Sequence, residues 1–128
     1  MEIVTHNATS LAWIGDAVMS LSVREYLLKK GYRKPDVLQK MSARICSAKG
    51  QAYILQQLEQ KNWFEEQEKV ILRRGRNATI HTKAKNASQQ TYLQATSLEA
   101  LLGYLYLYEH EERLQALLGE IKKLGDLL

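Results

Sequence analysis

The sequence predicts an all-α bundle in which residues 1–128 form a single domain. Apolar side chains recur at helical spacing over most of the chain, and no segment shows the convincing two-residue alternation of a strand. Proline occurs once, at Pro35, and 45% of the 128 residues are hydrophobic. That composition suffices for one compact core and leaves no room for a second folded module. Helices packed on helices are the architecture that these features favour.

Four helices are predicted in the first 75 residues. Ser10 is a suitable N-cap for the first helix, which Gly31 ends, and Pro35 fits the first turn of the second. A third helix follows directly, with apolar residues at helical spacing, and Gly75 ends the fourth. The predicted bounds are 11–30, 35–47, 48–61 and 64–74.

The rest of the chain is predicted to contain an irregular segment followed by two helices. Residues 76–95 are polar and irregular, with one short turn of helix at 89–93. Ser97 can cap a helix that runs through Tyr108, and the last helix is expected over 111–124.

Two acidic residues stand alone in the most apolar parts of these helices. Asp16 is the only charged residue in residues 11–19, and Glu99 is the only one in residues 97–107. A helix that is apolar all round is normally buried, and a buried carboxylate is costly unless it is paired, hydrogen-bonded or bound to a cation. Two facing carboxylates would suit a hard cation such as Mg²⁺. The alternative is that each acid is a satisfied core residue, paired with arginine or bonded to the backbone.

A glycine accompanies each of these acids. Gly15 precedes Asp16, and Gly103 lies one turn after Glu99 on the same helical face. Glycine inside a helix costs up to about 1 kcal/mol relative to alanine, and it is usually tolerated where another backbone must come close. We therefore expect the two helices to cross at their glycines and to bring the two carboxylates together.

Charge is segregated along the chain. The formal net charge is +4, and residues 70–86 contain five arginines and lysines, one histidine and no acid, whereas acids are frequent near the C-terminus. This pattern fits a face that meets phosphates, and the alternative is an ordinary solvated loop. The basic residues concerned are Arg73, Arg74, Arg76, His81, Lys83 and Lys85.

The composition also limits the class and location of the protein. Cys46 is the only cysteine, so the sequence offers no internal disulfide and no thiolate metal site, and we expect Cys46 to be a buried small hydrophobe. The first ten residues are mostly polar and give no sign of a signal peptide. The apolar runs are too short to cross a bilayer. We therefore expect a reduced, cytoplasmic protein with no membrane partner.

Two segments resemble the ribonuclease III family. Residues 11–18, LAWIGDAV, resemble the family signature LEFLGDAV, and residues 98–107, LEALLGYLYL, resemble its second acidic motif, DxxEAxxGAxYL. The similarity is closest to the Mini-ribonuclease III group, which has the catalytic domain and no double-stranded-RNA-binding domain. Shorter stretches similar to that group lie at residues 34–35, 47–49, 74–78, 85–86 and 90–92.

This resemblance implies an all-helical endoribonuclease domain that works as a two-fold homodimer on double-stranded RNA. Asp16 and Glu99 match the family's catalytic, metal-binding acids, with Mg²⁺ as cofactor and Mn²⁺ as a substitute. The implied biological substrate is precursor large-subunit ribosomal RNA. Trp13 matches an aromatic residue that docks into the partner subunit, although plain core packing is the alternative. The residues expected to bind RNA are Lys49, Arg73, Arg74, Arg76, Asn77, His81, Lys83, Lys85 and Asn86.

Two departures from the larger enzymes leave a second function open. Ala12 stands where those enzymes have a glutamate, and Thr96 stands where they have an aspartate, so half of the usual carboxylate set is missing. Such losses are typical of Mini-ribonuclease III. They would also fit a non-catalytic RNA-binding or ribosome-associated module of the same fold. A plain helical interaction protein is a third possibility, but it gives no reason for the two isolated acids.

Overall fold

The all-α prediction is confirmed. The computed structural model describes residues 2–78 and 88–128, and these ranges contain six helices and no strand. In chain order, the helices are α1 (Ala8–Lys29), α2 (Pro35–Cys46), α3 (Ala48–Gln60), α4 (Glu66–Arg76), α5 (Gln89–Leu107) and α6 (Glu111–Gly125). No helix in these ranges combines the length and the apolar character that crossing a bilayer requires.

Helix α5 occupies the centre of the bundle. It packs against α1, α3, α4 and α6, while α2 lies against α1 and α3. Between Ala95 and Leu105 every side chain of α5 is buried except that of Glu99, which is half-buried. A helix that is apolar on every side suits this position because each of its faces meets another helix.

Helix α1 is less buried than its sequence suggests. Leu11, Met19 and Val23 lie in the core, but the indole of Trp13 is 77% exposed and the side chain of Leu21 is 62% exposed. The expectation that α1 is buried on all sides is therefore wrong for the single chain. One face of the helix packs on α5, and the other leaves large apolar side chains in contact with solvent.

The close crossing of α1 and α5 at two glycines is confirmed. A Cβ atom added to Gly15 would lie 1.7 Å from the backbone oxygen of Glu99, and one added to Gly103 would lie 1.9 Å from that of Leu11. No real Cβ atom could occupy either position without moving a helix backbone. The glycines thus allow direct contact between the two backbones beside both acidic residues.

The first helix begins earlier than predicted. Its N-cap is Asn7 rather than Ser10, because the Asn7 side-chain oxygen accepts a hydrogen bond from the backbone N–H of Ser10 at 2.8 Å. Asparagine is as good an N-cap as serine, and the start at Asn7 adds most of a helical turn to the predicted helix.

The boundaries predicted at Gly75 and Ser97 are also wrong. Helix α4 continues through Gly75, and α5 is one helix that starts after Ser88, whose hydroxyl oxygen accepts from the backbone N–H of Thr91 at 3.1 Å. Gly75 and Ser97 instead meet where α4 packs on α5. A Cβ atom on Gly75 would lie 2.5 Å from the Ser97 Cα, and the Ser97 hydroxyl donates to the Leu72 carbonyl at 2.7 Å. Both small residues serve a tertiary contact rather than a helix end.

Replacing Gly15 with alanine tests the importance of the α1–α5 crossing. We expect Gly15→Ala to lower the free energy of unfolding by about 3 kcal/mol or more, because the added methyl group collides with backbone that cannot move aside. Gly119→Ala is the matched control, since Gly119 lies in α6 with no atom within 4 Å of an added Cβ. It should gain up to about 1 kcal/mol from helix propensity alone. Urea unfolding measures both variants, and a Gly15→Ala protein as stable as the parent would contradict the tight crossing.

Candidate active site

A wide cavity lies beside the crossing of α1 and α5. Its volume is about 1090 Å³, and its walls come from the start of α1, the α2–α3 junction, the end of α4 and the first half of α5. Asp16 and Glu99 both line it, as do Gln51 and Arg74. Residues that are far apart in the chain thus meet in one open depression beside the glycine contact.

Asp16 and Glu99 face each other across this contact. Asp16 is one of the causes that raise the pKa of Glu99, so the two side chains are direct neighbours. Asp16 is exposed to the cavity, whereas Glu99 is half-buried and its Oε2 accepts a hydrogen bond from the Gln51 Nε2 at 3.2 Å. The crossing therefore brings together the two acids that the sequence singled out.

The environment of Glu99 disfavours its ionised form. Burial is the main cause that raises the pKa of Glu99 to about 8, the neighbouring Asp16 raises it further, and the hydrogen bond from Gln51 opposes both effects. Two close carboxyl groups cannot both ionise cheaply in a partly buried place without a positive counter-charge. A bound cation would supply that charge and would favour the doubly ionised pair.

Gln51 is a site residue that the sequence reasoning missed. Its side chain is only 2% exposed, and its Nε2 donates to the Cys46 carbonyl at 2.8 Å as well as to Glu99. Its Oε1 is buried and has no hydrogen-bond partner among the described residues. A signal was available in the sequence, because Gln51 shares the apolar face of α3 with Leu55 and Leu58, at helical spacing.

Cys46 lies in the wall of the cavity and is half-buried, less than was expected. Burial is the main cause that raises the pKa of its thiol to about 11, and the two carboxyl groups add to the effect. The thiol is therefore protonated at neutral pH.

The two departures from the larger enzymes fall inside the site. Ala12 and Thr96 both line the same cavity as the carboxyl pair. The Thr96 hydroxyl donates to the Tyr92 carbonyl at 3.0 Å, so its hydrogen is engaged within α5. Among residues 2–78 and 88–128, no group of three or more His, Cys, Asp or Glu side chains is placed to hold a metal ion. The Gln51 amide is a further oxygen-bearing group in contact with this pair.

The basic residues predicted to bind RNA occupy different surfaces. Arg74 and Asn77 line the carboxylate cavity, and the Arg74 guanidinium donates to the His6 carbonyl at 2.7 Å. Arg73 and Arg76 instead line a smaller groove, where Arg76 forms an ion pair with Glu59.

The other predicted RNA-binding residues lie on an exposed surface or outside the described ranges. Lys49 is exposed and follows Ala48, which belongs to the cavity wall. His81, Lys83, Lys85 and Asn86 lie outside the residues that the structure describes.

Trp13 does not pack in the core of its own chain, so the alternative that it is a plain core residue is wrong. It stands at the edge of the carboxylate cavity with its indole exposed. Beside it, a second cavity of about 610 Å³ is formed by α1, the end of α5 and α6. Much of its wall is apolar, including Ile14, Val18, Leu21 and Leu118. An exposed aromatic side chain and an apolar depression thus share one surface.

Comparison with known proteins identifies the family. The model of the Ribonuclease III domain matches residues 9–110, which include both acidic segments. A Mini-ribonuclease 3 of Staphylococcus aureus is 49% identical over 115 residues, covering 90% of this chain and 86% of its own. One from Enterococcus faecalis is 44% identical over 121 residues, covering 94% and 92%.

A solved structure agrees with the sequence matches. The crystal structure of a Fusobacterium nucleatum protein superposes with a TM-score of 0.80 at 31% identity, and the match covers 93% of each chain. The matched domain contains the glycine crossing and both carboxyl groups beside the cavity. The chain therefore belongs to the ribonuclease III family of endoribonucleases.

Proposed function

We propose that this chain is a magnesium-dependent endoribonuclease that cleaves double-stranded RNA as a homodimer. The observation that carries the proposal is the pair of carboxyl groups of Asp16 and Glu99, which face each other beside a wide, open cavity with Arg74 in its wall. The pair offers oxygen donors, and the arginine offers a positive charge for a phosphate. Both suit the hydrolysis of a phosphodiester, in which a water must be activated and phosphate charge neutralised.

The donor set fits a hard divalent cation. Mg²⁺ keeps several of its waters and needs only one or two carboxylates from a protein, which is what Asp16 and Glu99 provide. The partly buried Glu99 also favours a cation, since its ionised form lacks a counter-charge. When bound, such an ion supplies Lewis-acid chemistry that makes water more acidic and neutralises charge on phosphate. Mn²⁺ prefers the same oxygen donors and should substitute.

The chain's own residues have separate roles in this proposal. Asp16 and Glu99 hold the cation, and Gln51 fixes the orientation of the Glu99 carboxylate through its hydrogen bond. Arg74 and Asn77 would contact the RNA backbone from the cavity wall. Duplex RNA hides its bases, so recognition should depend on shape, phosphates and 2′-hydroxyls rather than on sequence.

The exposed apolar face of α1 supports the proposed homodimer. Trp13, Leu21 and Tyr106 are each more than half exposed, and this face borders the apolar cavity between α1, α5 and α6. In a two-fold dimer the same surface of both subunits is buried, so each Trp13 can enter the partner's cavity. Two carboxyl pairs related by the axis would then act on the two strands of one duplex.

The biological substrate that we propose is precursor large-subunit ribosomal RNA, matured at its paired ends in the cytoplasm. This part of the proposal is supported by the similarity to Mini-ribonuclease III. A non-catalytic RNA-binding module is the second candidate, because Ala12 and Thr96 reduce the number of acids in the cavity. The two candidates differ in outcome: the enzyme cuts duplex RNA when Mg²⁺ is present, and the module only binds it.

Replacing Asp16 tests the assignment of catalysis. Asp16→Asn keeps the shape of the side chain and removes its charge, so cleavage of long duplex RNA in Mg²⁺ should fall by more than about 100-fold, since even residues that only support a metal ligand contribute 10- to 100-fold. Glu99→Gln should behave alike. Asp36→Asn is the control, because Asp36 is exposed on α2 and does not line the cavity. Normal cleavage by a folded Asp16→Asn protein would exclude the carboxyl pair as the catalytic site.

Replacing Trp13 tests the dimer. Trp13→Ala should raise the dissociation constant of the dimer at least about 30-fold, the change expected when a hot-spot residue worth about 2 kcal/mol is lost. Sedimentation equilibrium gives the constant directly. Leu127→Ala is the matched control, since Leu127 is 71% exposed but lies away from the apolar cavity. A parent protein that is a monomer and cuts both strands would contradict the proposal.

Replacing Arg74 tests RNA binding separately from catalysis. The logarithm of affinity falls with the logarithm of salt concentration at a slope set by the phosphates contacted, and Arg74→Ala should lower that slope by about one. Arg76→Ala should have a smaller effect, because Glu59 already neutralises Arg76. Saturating RNA should restore most of the cleavage rate of Arg74→Ala, because its carboxyl pair is intact. An unchanged salt slope would place the RNA-binding surface elsewhere.

A further inference from the structure

Gln51 is buried beside the carboxyl pair with only half of its amide engaged. Its Nε2 has two hydrogens, and these donate to the Cys46 carbonyl at 2.8 Å and to Glu99 Oε2 at 3.2 Å. The Cys46 carbonyl can only accept, so the amide cannot be turned around without placing its own oxygen against that carbonyl oxygen. This network fixes Oε1 as the atom that has no hydrogen-bond partner among the described residues.

An unpartnered carbonyl oxygen at this position calls for a ligand. Gln51 is 2% exposed, and burying a polar atom without a partner costs folding free energy, so most buried polar groups are hydrogen-bonded. Gln51 also lines the cavity that Asp16 and Glu99 share. Gln51 and the two carboxyl groups therefore belong to one site, with the unpartnered oxygen on the side chain that contacts Glu99.

The charge balance of the site favours a neutral third donor. The two carboxyl groups already repel each other, and a third acid in this partly buried place would increase that repulsion. An amide oxygen adds a ligand for a hard cation without adding negative charge. Ala12 and Thr96, where the larger enzymes have acids, provide no carboxylate here.

We propose that the Gln51 Oε1 is a third ligand of the cation held by Asp16 and Glu99, while its Nε2 holds the Glu99 carboxylate in place. This inference rests on the cation site of the proposed function. It assigns to α3 a direct role in metal binding. Both polar atoms of the buried amide then have a partner, the cation for Oε1 and the Glu99 carboxylate for Nε2.

The test measures binding of Mn²⁺ alone to the full-length protein by electron paramagnetic resonance, without RNA. Gln51→Met has nearly the length of glutamine and no oxygen, so Mn²⁺ should bind at least about tenfold more weakly. At saturating Mn²⁺ in D₂O, pulsed measurements should count one more water on the bound ion than in the parent. Gln60→Leu is the matched control, because Gln60 is exposed at the end of the same helix. Circular dichroism checks folding, and Gln51→Leu serves if Gln51→Met does not fold.

Gln51→Glu separates ligation from positioning. It keeps an oxygen at the same place but donates no hydrogen bond when ionised, so a ligand role predicts Mn²⁺ affinity equal to or tighter than in the parent, with an unchanged water count. If Gln51→Glu weakens binding as much as Gln51→Met does, and neither changes the water count, Gln51 only positions Glu99 and the proposal is wrong. It is wrong equally if Gln51→Met binds Mn²⁺ like the parent. A parent protein that binds no Mn²⁺, or binds it as well after Asp16→Asn, would overturn the cation site itself.

Discussion

The direct contact between the backbones of α1 and α5 governs the arrangement of this protein. At Gly15 and Gly103 there is no room for a side chain, because an added Cβ atom would lie within 2 Å of the opposite backbone. Asp16 follows Gly15 in the chain, and the backbone oxygen of Glu99 is the atom nearest to the position of a Cβ on Gly15. The distance between the two acids is thus set by packed helices rather than by loops, which is the rigid support that a site for chemistry needs.

The same contact gives the two acids unequal surroundings. Glu99 belongs to the central helix and is half-buried, while Asp16 on α1 is exposed to the cavity. The buried member is the one held by the Gln51 amide and the one whose pKa is raised. Repulsion between the carboxyl groups and the desolvation of Glu99 both favour a positive charge at this point. A positive charge placed here would stabilise the ionised forms of both acids.

The surface around the pair combines two other kinds of interaction. Arg74 brings positive charge to the cavity wall, and Trp13 places an exposed aromatic ring at its edge. The first suits a polyanion and the second suits a protein partner. Because Trp13 and Arg74 line one cavity, a dimer formed through Trp13 would place both cavities next to the subunit interface.

The sequence by itself determined the helical class, the two isolated acids and the crossing at Gly15 and Gly103, because these depend on periodicity and on residues that are costly without a tertiary reason. Only the tertiary structure decided which small polar residues end helices and which serve contacts. Gly75 looks like a stop and Ser97 like a cap, yet α4 runs one residue past Gly75 and Ser97 lies in the middle of α5, because the two helices pack on each other at these residues. In the sequence, Gln51 is one polar residue on an apolar helix face. Its place in the site depends on the hydrogen bond to Glu99, which lies 48 residues away. Local pattern indicates which residues are unusual, whereas contacts between distant segments decide what they do.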